Sequence, residues 1–133
     1  MNMEISRGDS RSPAAGPSDY FTGDVQVQPL FGANEHRNVG AGQVTFSPCA
    51  RSAWHTHPAG QTLVVTEGTG WVQEWGGEKQ QMNVGDVIWT PPGVKHWHGA
   101  TTTGAMTHVA ITGDLDGKNV EWMEKVTDDE YLT

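Results

Sequence analysis

His55-Thr56-His57-Pro58-Ala59-Gly60-Gln61 is the stretch on which the reading of this chain turns. Two histidines at i and i+2 project from the same face of a β-strand, because strand side chains alternate with a period of two. Burying two imidazoles side by side is costly unless they find a partner. A third histidine, His96, arrives just past the turn Pro91-Pro92-Gly93. Imidazole nitrogens joined by an amide or carboxylate oxygen suit a divalent transition metal. The spacing therefore points to a metal site on a strand rather than to ordinary polar positions of a sheet.

Around that stretch the chain reads as short β-runs divided by turn residues. Runs are predicted at Asp24–Leu30, Gln43–Phe46, Arg51–His57, Gln61–Thr66, Trp71–Trp75, Glu78–Met82, Val87–Thr90, Lys95–Gly99 and Met106–Thr112. Between them stand Glu67-Gly68-Thr69-Gly70, Gly76-Gly77, Asn83-Val84-Gly85-Asp86 and Pro91-Pro92-Gly93. Most of the 17 glycines fall between runs, which marks turns rather than disorder. Many short strands with this punctuation predict an all-β sandwich or barrel. The first helical periodicity comes at Glu121-Trp122-Met123-Glu124, and Thr127 is placed to cap a short helix over Asp128–Leu132.

A length of 133 residues fits one domain with one core. Residues 1–18, rich in Gly, Ser and Pro, read as a flexible or loosely docked arm, and residues 19–133 as the folded domain. The net charge is −8, from 16 acids against 8 bases, with no Lys or Arg cluster. That balance argues against nucleic acid and anionic membrane as partners. Cys49 is the single cysteine, so no intrachain disulfide forms. Residues 1–18 contain no apolar run, and a cytoplasmic location is expected.

Two motifs carry a resemblance. Ala50-Arg51-Ser52-Ala53-Trp54-His55-Thr56-His57-Pro58-Ala59-Gly60-Gln61, followed by Leu63-Val64-Val65-Thr66-Glu67-Gly68, resembles the first cupin motif. Gly85-Asp86-Val87-Ile88-Trp89-Thr90-Pro91-Pro92-Gly93-Val94-Lys95-His96 resembles the second. The likeness spans roughly residues 20–112 and implies a double-layered β-barrel of the jelly-roll type, six to eleven strands, with a metal inside its mouth. It implies His55, His57, Gln61 and His96 as the ligands of one divalent ion. The common cupin pattern has Glu where this chain has Gln61. An amide oxygen is neutral, so four neutral ligands leave the ion's full charge in place; binding weakens and Lewis acidity rises.

A narrower likeness is to small bacterial cupins with manganese-dependent hydroxynitrile lyase activity. Trp54 through Leu63, Lys95 through Ala100, Ala105 through His108, Asp116-Gly117-Lys118 and Val120 through Glu124 carry it. It implies Mn(II) as the metal, with Fe(II), Ni(II) or Zn(II) as alternatives, and His108 as the proton carrier. It also implies a small-molecule substrate and a homo-oligomer, dimer or tetramer. Gly42 and Thr112 would face the substrate, at positions that differ among relatives.

The other histidines and the tryptophans complete the reading. His108 lies in the alternation Met106-His108-Ala110, and a neutral histidine beside a substrate hydroxyl relays a proton. His98, two residues after His96, shares its face and is expected near the site or further up the barrel. His36 is expected on a surface loop. Trp54, Trp71, Trp89 and Trp97 are expected in the core or a subunit interface. Three functions compete: cleavage of cyanohydrins to aldehyde and cyanide, oxygenation at a three-His iron site, and non-catalytic binding of a small molecule.

Overall fold

The strand-forming runs do assemble into two facing antiparallel sheets, in a computed structural model that describes residues 2–133. The strands are β1 (Ala14–Ala15), β2 (Phe21–Thr22), β3 (Val25–Phe31), β4 (Val39–Phe46), β5 (Arg51–Ser52), β6 (His55–Thr56), β7 (Gln61–Gly68), β8 (Gly70–Glu74), β9 (Gln80–Met82), β10 (Val87–Thr90), β11 (His96–Ala100), β12 (Met106–Gly113) and β13 (Glu121–Trp122). Five of them are two residues long, and the other eight form the body of the barrel. One sheet runs β1-β3-β4-β12-β7-β10; the other runs β13-β6-β11-β5-β2, with β8 and β9 extending it from β11. Neither sheet closes on itself through hydrogen bonds. The architecture is the double-layered cupin barrel expected above.

Alternation decides which side chains meet between the layers. Val44, Phe46, Leu63, Val65, Met106 and Ala110 point inward from the six-stranded sheet and meet Met82 and Ala100 of the other. β11 is buried along its whole length, because both of its faces are covered. Its odd member, Trp97, faces away from the barrel interior and packs with Trp54, Val126 and Tyr131. That second cluster is closed by α1 (Asp128–Leu132), whose start carries a capping box in which Thr127 and Glu130 bond each other's backbone. Tyr131 donates its hydroxyl to Ala100 O at 2.6 Å, tying the helix to the end of β11.

Three segments depart from the sequence reading. The run Arg51–His57 is not one strand: it breaks at Ala53-Trp54, where Trp54 N–H bonds Glu124 O instead of a neighbouring strand of the barrel. Glu121-Trp122 forms β13 rather than helix, since its backbone pairs with Thr56 and His55 of β6. Trp89 is 58% exposed, because β10 is an edge strand and it is Ile88 and Thr90 that turn inward. Within the N-terminal segment, Ala14–Ala15 pair with Val27 and Gln26 of β3. Met1, the first residue of the expected arm, lies outside the described residues.

The connection from β7 to β8 depends on Gly68. Its φ is +71°, and a Cβ placed there would sit 2.0 Å from the backbone oxygen of Ala105. A backbone atom has no rotamer with which to escape, so strain and overlap add. Gly68→Ala is expected to destabilise the fold by about 2 kcal/mol or more, measured by urea unfolding. A loss below about 0.5 kcal/mol, the size of an ordinary surface substitution, would show that the turn relaxes freely.

Candidate metal centre

Five of the six histidines collect between the two sheets at one end of the barrel. β6 supplies His55, the turn that follows it supplies His57, and β11 supplies His96 and His98. β7 begins with Gln61, and β12 brings His108. His96 and His55 are direct cross-strand partners, so the two cupin-like motifs meet through sheet register. Their rings lie 4.3 Å apart between centroids. The His57 ring is 4.9 Å from His55 and 5.3 Å from His96. Of the sequence-predicted residues, all four expected ligands and His108 are brought together and buried. His36 stands apart and exposed, in the turn closed by Asn34 and Arg37.

The hydrogen bonds decide the protonation pattern. His55 Nδ1 donates to Ala53 O at 2.8 Å, His57 Nδ1 to Asn119 O at 2.7 Å, and His96 Nδ1 to Val94 O at 3.0 Å. A carbonyl oxygen only accepts, so in each ring Nδ1 must carry the proton. Burial disfavours a second proton. It holds all three pKa values below the usual histidine range, that of His96 at about 4; neighbouring imidazoles add to the effect at His55. Three neutral rings with protonated Nδ1 leave three bare Nε2 lone pairs. This tautomer is the one metal-ligating histidines use, fixed by a partner on the opposite ring nitrogen.

The donor set fits a metal ion. Nε2 of His57, His96 and His98, and Oε1 of Gln61, are buried without a hydrogen-bond partner. Such atoms are costly in an interior unless something binds them. The Gln61 amide is held at its far end, where Nε2 donates to Thr112 Oγ1 at 3.0 Å. The tightest nitrogen group is His55, His96 and His98, with one ring nitrogen from each within 4.8 Å of the others. His98 differs from the other three in one respect. Its Nδ1 meets His108 Nε2 at 3.1 Å, a partner that either donates or accepts, so nothing forces its Nε2 to be bare. The carbonyl-anchored rings are therefore the stronger ligand candidates, and His98 with His108 forms a hydrogen-bonded pair beside them.

The pair is buried. Burial pushes the His108 pKa down to about 4 and that of His98 well below the usual range, with neighbouring imidazoles adding at His98. Phe46 packs on both rings, with centroids 5.8 Å from His98 and 5.4 Å from His108. His108 Nδ1 is buried and has no partner.

A cavity of about 380 Å³ opens from this cluster and is lined by His55, His57, Gln61, His98 and His108. That volume falls in the usual range of small-molecule sites, roughly 300–1,000 Å³. Its remaining wall is largely apolar, with Phe21, Val27, Phe31, Val44 and Trp122. Gly42 and Thr112 also line it, as expected from the sequence. His96 is buried and is not among the residues that line this cavity. Trp122 was not legible as a site residue: it lies 4.8 Å from the His55 ring and stacks on Tyr20 at 4.7 Å. Asn119 acts through its backbone oxygen, for which no side-chain signal exists.

Comparison with known proteins agrees with this geometry. The family profile described as a cupin domain matches residues 42–112. The chain is 56% identical to a protein of Granulicella tundricola named (R)-mandelonitrile lyase, over 97% of this chain and 98% of that one. The fold is similar to the crystal structure of a cupin-like protein of Thermotoga maritima, with TM-score 0.84 and 39% identity over 98% and 95% of the two chains. It is also similar to the polyketide cyclase RemF of Streptomyces resistomycificus, with TM-score 0.76 and 14% identity over 98% and 91%, a likeness of fold alone.

Depressed histidine pKa values tie stability to pH. Between about 4 and 6.5 an unfolded chain binds protons that the folded chain refuses, so metal-free protein should lose stability as pH falls through that window. Nitrogen-detected NMR of the same protein at pH 7 should show His55, His57 and His96 protonated at Nδ1 only. An Nε2-protonated or doubly protonated ring at any of the three would contradict the assignment. The chain, with both motifs converging on one buried histidine cluster, belongs to the cupin family.

Proposed function

We propose that this cupin is a metal-dependent hydroxynitrile lyase that cleaves or forms cyanohydrins of aromatic aldehydes, with one divalent ion held by His55, His57, Gln61 and His96. The observation that carries the metal reading is the set of three imidazoles whose Nδ1 atoms are anchored on backbone carbonyls, which leaves Nε2 bare in each, together with the buried, unpartnered Oε1 of Gln61. The lyase reading draws on the 56% identity to a protein named (R)-mandelonitrile lyase. Mn(II) is proposed as the ion, on the resemblance to the manganese-dependent cupins.

A divalent ion at this site supplies Lewis acidity to the substrate oxygen, and neutral ligands leave that acidity undiminished. The chain's residues do the rest. The apolar wall formed by Phe21, Phe31, Val44 and Trp122 takes an aryl group and excludes water from it. His108, which lines the cavity and shares a hydrogen bond with His98, accepts the hydroxyl proton of the cyanohydrin. The carbon–carbon bond to the nitrile breaks, cyanide leaves with the electron pair, and the carbonyl of the aldehyde forms. His108 then returns the proton to cyanide as hydrogen cyanide.

His57→Ala removes one anchored imidazole, and metal analysis of the purified variant should show far less than one ion per chain. Stoichiometric retention would remove His57 from the ligand set. His108→Ala should keep metal content and fold but lose about 10²–10⁴-fold of mandelonitrile cleavage, the contribution of a well-placed proton-transfer group. Unchanged turnover would make His108 a packing residue. Oxygen uptake by the metal-loaded protein, without cyanide release, would replace the lyase reading with an oxygenase.

A further inference from the structure

We infer that Thr112 is a positioning residue for Gln61: its hydroxyl holds the amide nitrogen so that the amide oxygen is free to bind the metal. The inference rests on the metal reading above. Gln61 opens β7 and Thr112 lies near the end of β12, and the two are directly opposed in the antiparallel register. Opposed residues on one face of a sheet interact side chain to side chain. Here the contact is the bond from Gln61 Nε2 to Thr112 Oγ1 at 3.0 Å, while Oε1 at the other end of the amide is buried and unpartnered.

The two ends of an amide have nearly the same size, so the shape of the cavity alone does not choose between them. A cation does, because it binds only the oxygen end, and the Thr112 hydroxyl, donor and acceptor alike, then accepts from the amide nitrogen. An oxygen committed to a cation leaves the NH2 group in need of an acceptor, and Thr112 Oγ1 supplies it. Without that hydroxyl, the metal-binding orientation of Gln61 carries a buried unsatisfied donor. The competing orientation, with NH2 turned toward the bare Nε2 atoms, offers no ligand to a cation. Thr112 therefore acts on the metal only through Gln61.

The test is titration of chelator-stripped full-length protein with Mn(II), reading free ion by electron paramagnetic resonance. The series is wild type, Thr112→Val, Thr112→Ser, Gln61→Ala and the double variant Gln61→Ala/Thr112→Val. Thr112→Val is expected to weaken Mn(II) binding by about 10-fold, at the low end of the 10–100-fold carried by groups that orient ligands. Thr112→Ser keeps the hydroxyl and should stay within about threefold of wild type. In the Gln61→Ala background, Thr112→Val should cost nothing further, because the amide it positions is gone. Near-UV circular dichroism checks the fold, and Thr112→Ala, which also lacks the acceptor, serves if the valine variant misfolds. Wild-type affinity in Thr112→Val, or an equal loss on the Gln61→Ala background, would overturn the inference. A wild-type protein that takes up no divalent ion would overturn the metal reading itself, and this inference with it.

Discussion

Three hydrogen bonds from imidazole to backbone carbonyl set the constraint on which the site depends. Ala53, Asn119 and Val94 each take the Nδ1 proton of one histidine. Two of these bonds are local, each reaching back two residues, and the bond from His57 to Asn119 joins distant parts of the chain, so that ring is oriented only when both parts are in place. Asn119 precedes β13, which pairs with β6 at Thr56 and His55. Val94 precedes β11, which pairs with β6 through His96 and His55. Pairing of β6 on both sides thus brings the Asn119 carbonyl to His57 and sets the His96 ring beside that of His55.

Burial strengthens the arrangement rather than merely hiding it. Enclosure lowers the pKa of each ring and keeps it neutral, the form in which a lone pair is available to a cation. The same enclosure imposes a cost on the bare lone pairs and the Gln61 oxygen. Phe46 packs against His98 and His108, and Tyr131 ties α1 to the end of β11. The apolar wall of the cavity lies next to this polar cluster. The site thus has one polar end and one apolar end.

Much of this was readable in the chain because it is carried by side-chain type and period. His55, His57 and Gln61 fall within seven positions, and the turn before His96 is marked by Pro91-Pro92-Gly93. The alternation in β11 and β12 placed His96 with His98, and His108 with Ala110. What escaped reading has specific causes. Val87, Ile88 and Trp89 are all apolar, so alternation could not say which face is buried, and Trp89 proved exposed. The break at Ala53-Trp54 is made by the distant backbone of Glu124 and Met123, which no local pattern encodes. The same pairing overrides the helical periodicity at Glu121–Glu124. Trp122 reaches the site only because that segment returns as β13, and the Asn119 carbonyl is invisible to any reading based on side chains.

The account stands or falls on which atoms hold the ion. Crystals of the protein grown with Mn(II), measured on both sides of the manganese absorption edge, give an anomalous peak at the metal alone. The predicted result is one peak per chain, within bonding distance of Nε2 of His55, His57 and His96 and of Oε1 of Gln61, with His98 and His108 outside it. A peak bonded to His98 in place of His57 or Gln61, or no peak in the barrel, would contradict the account.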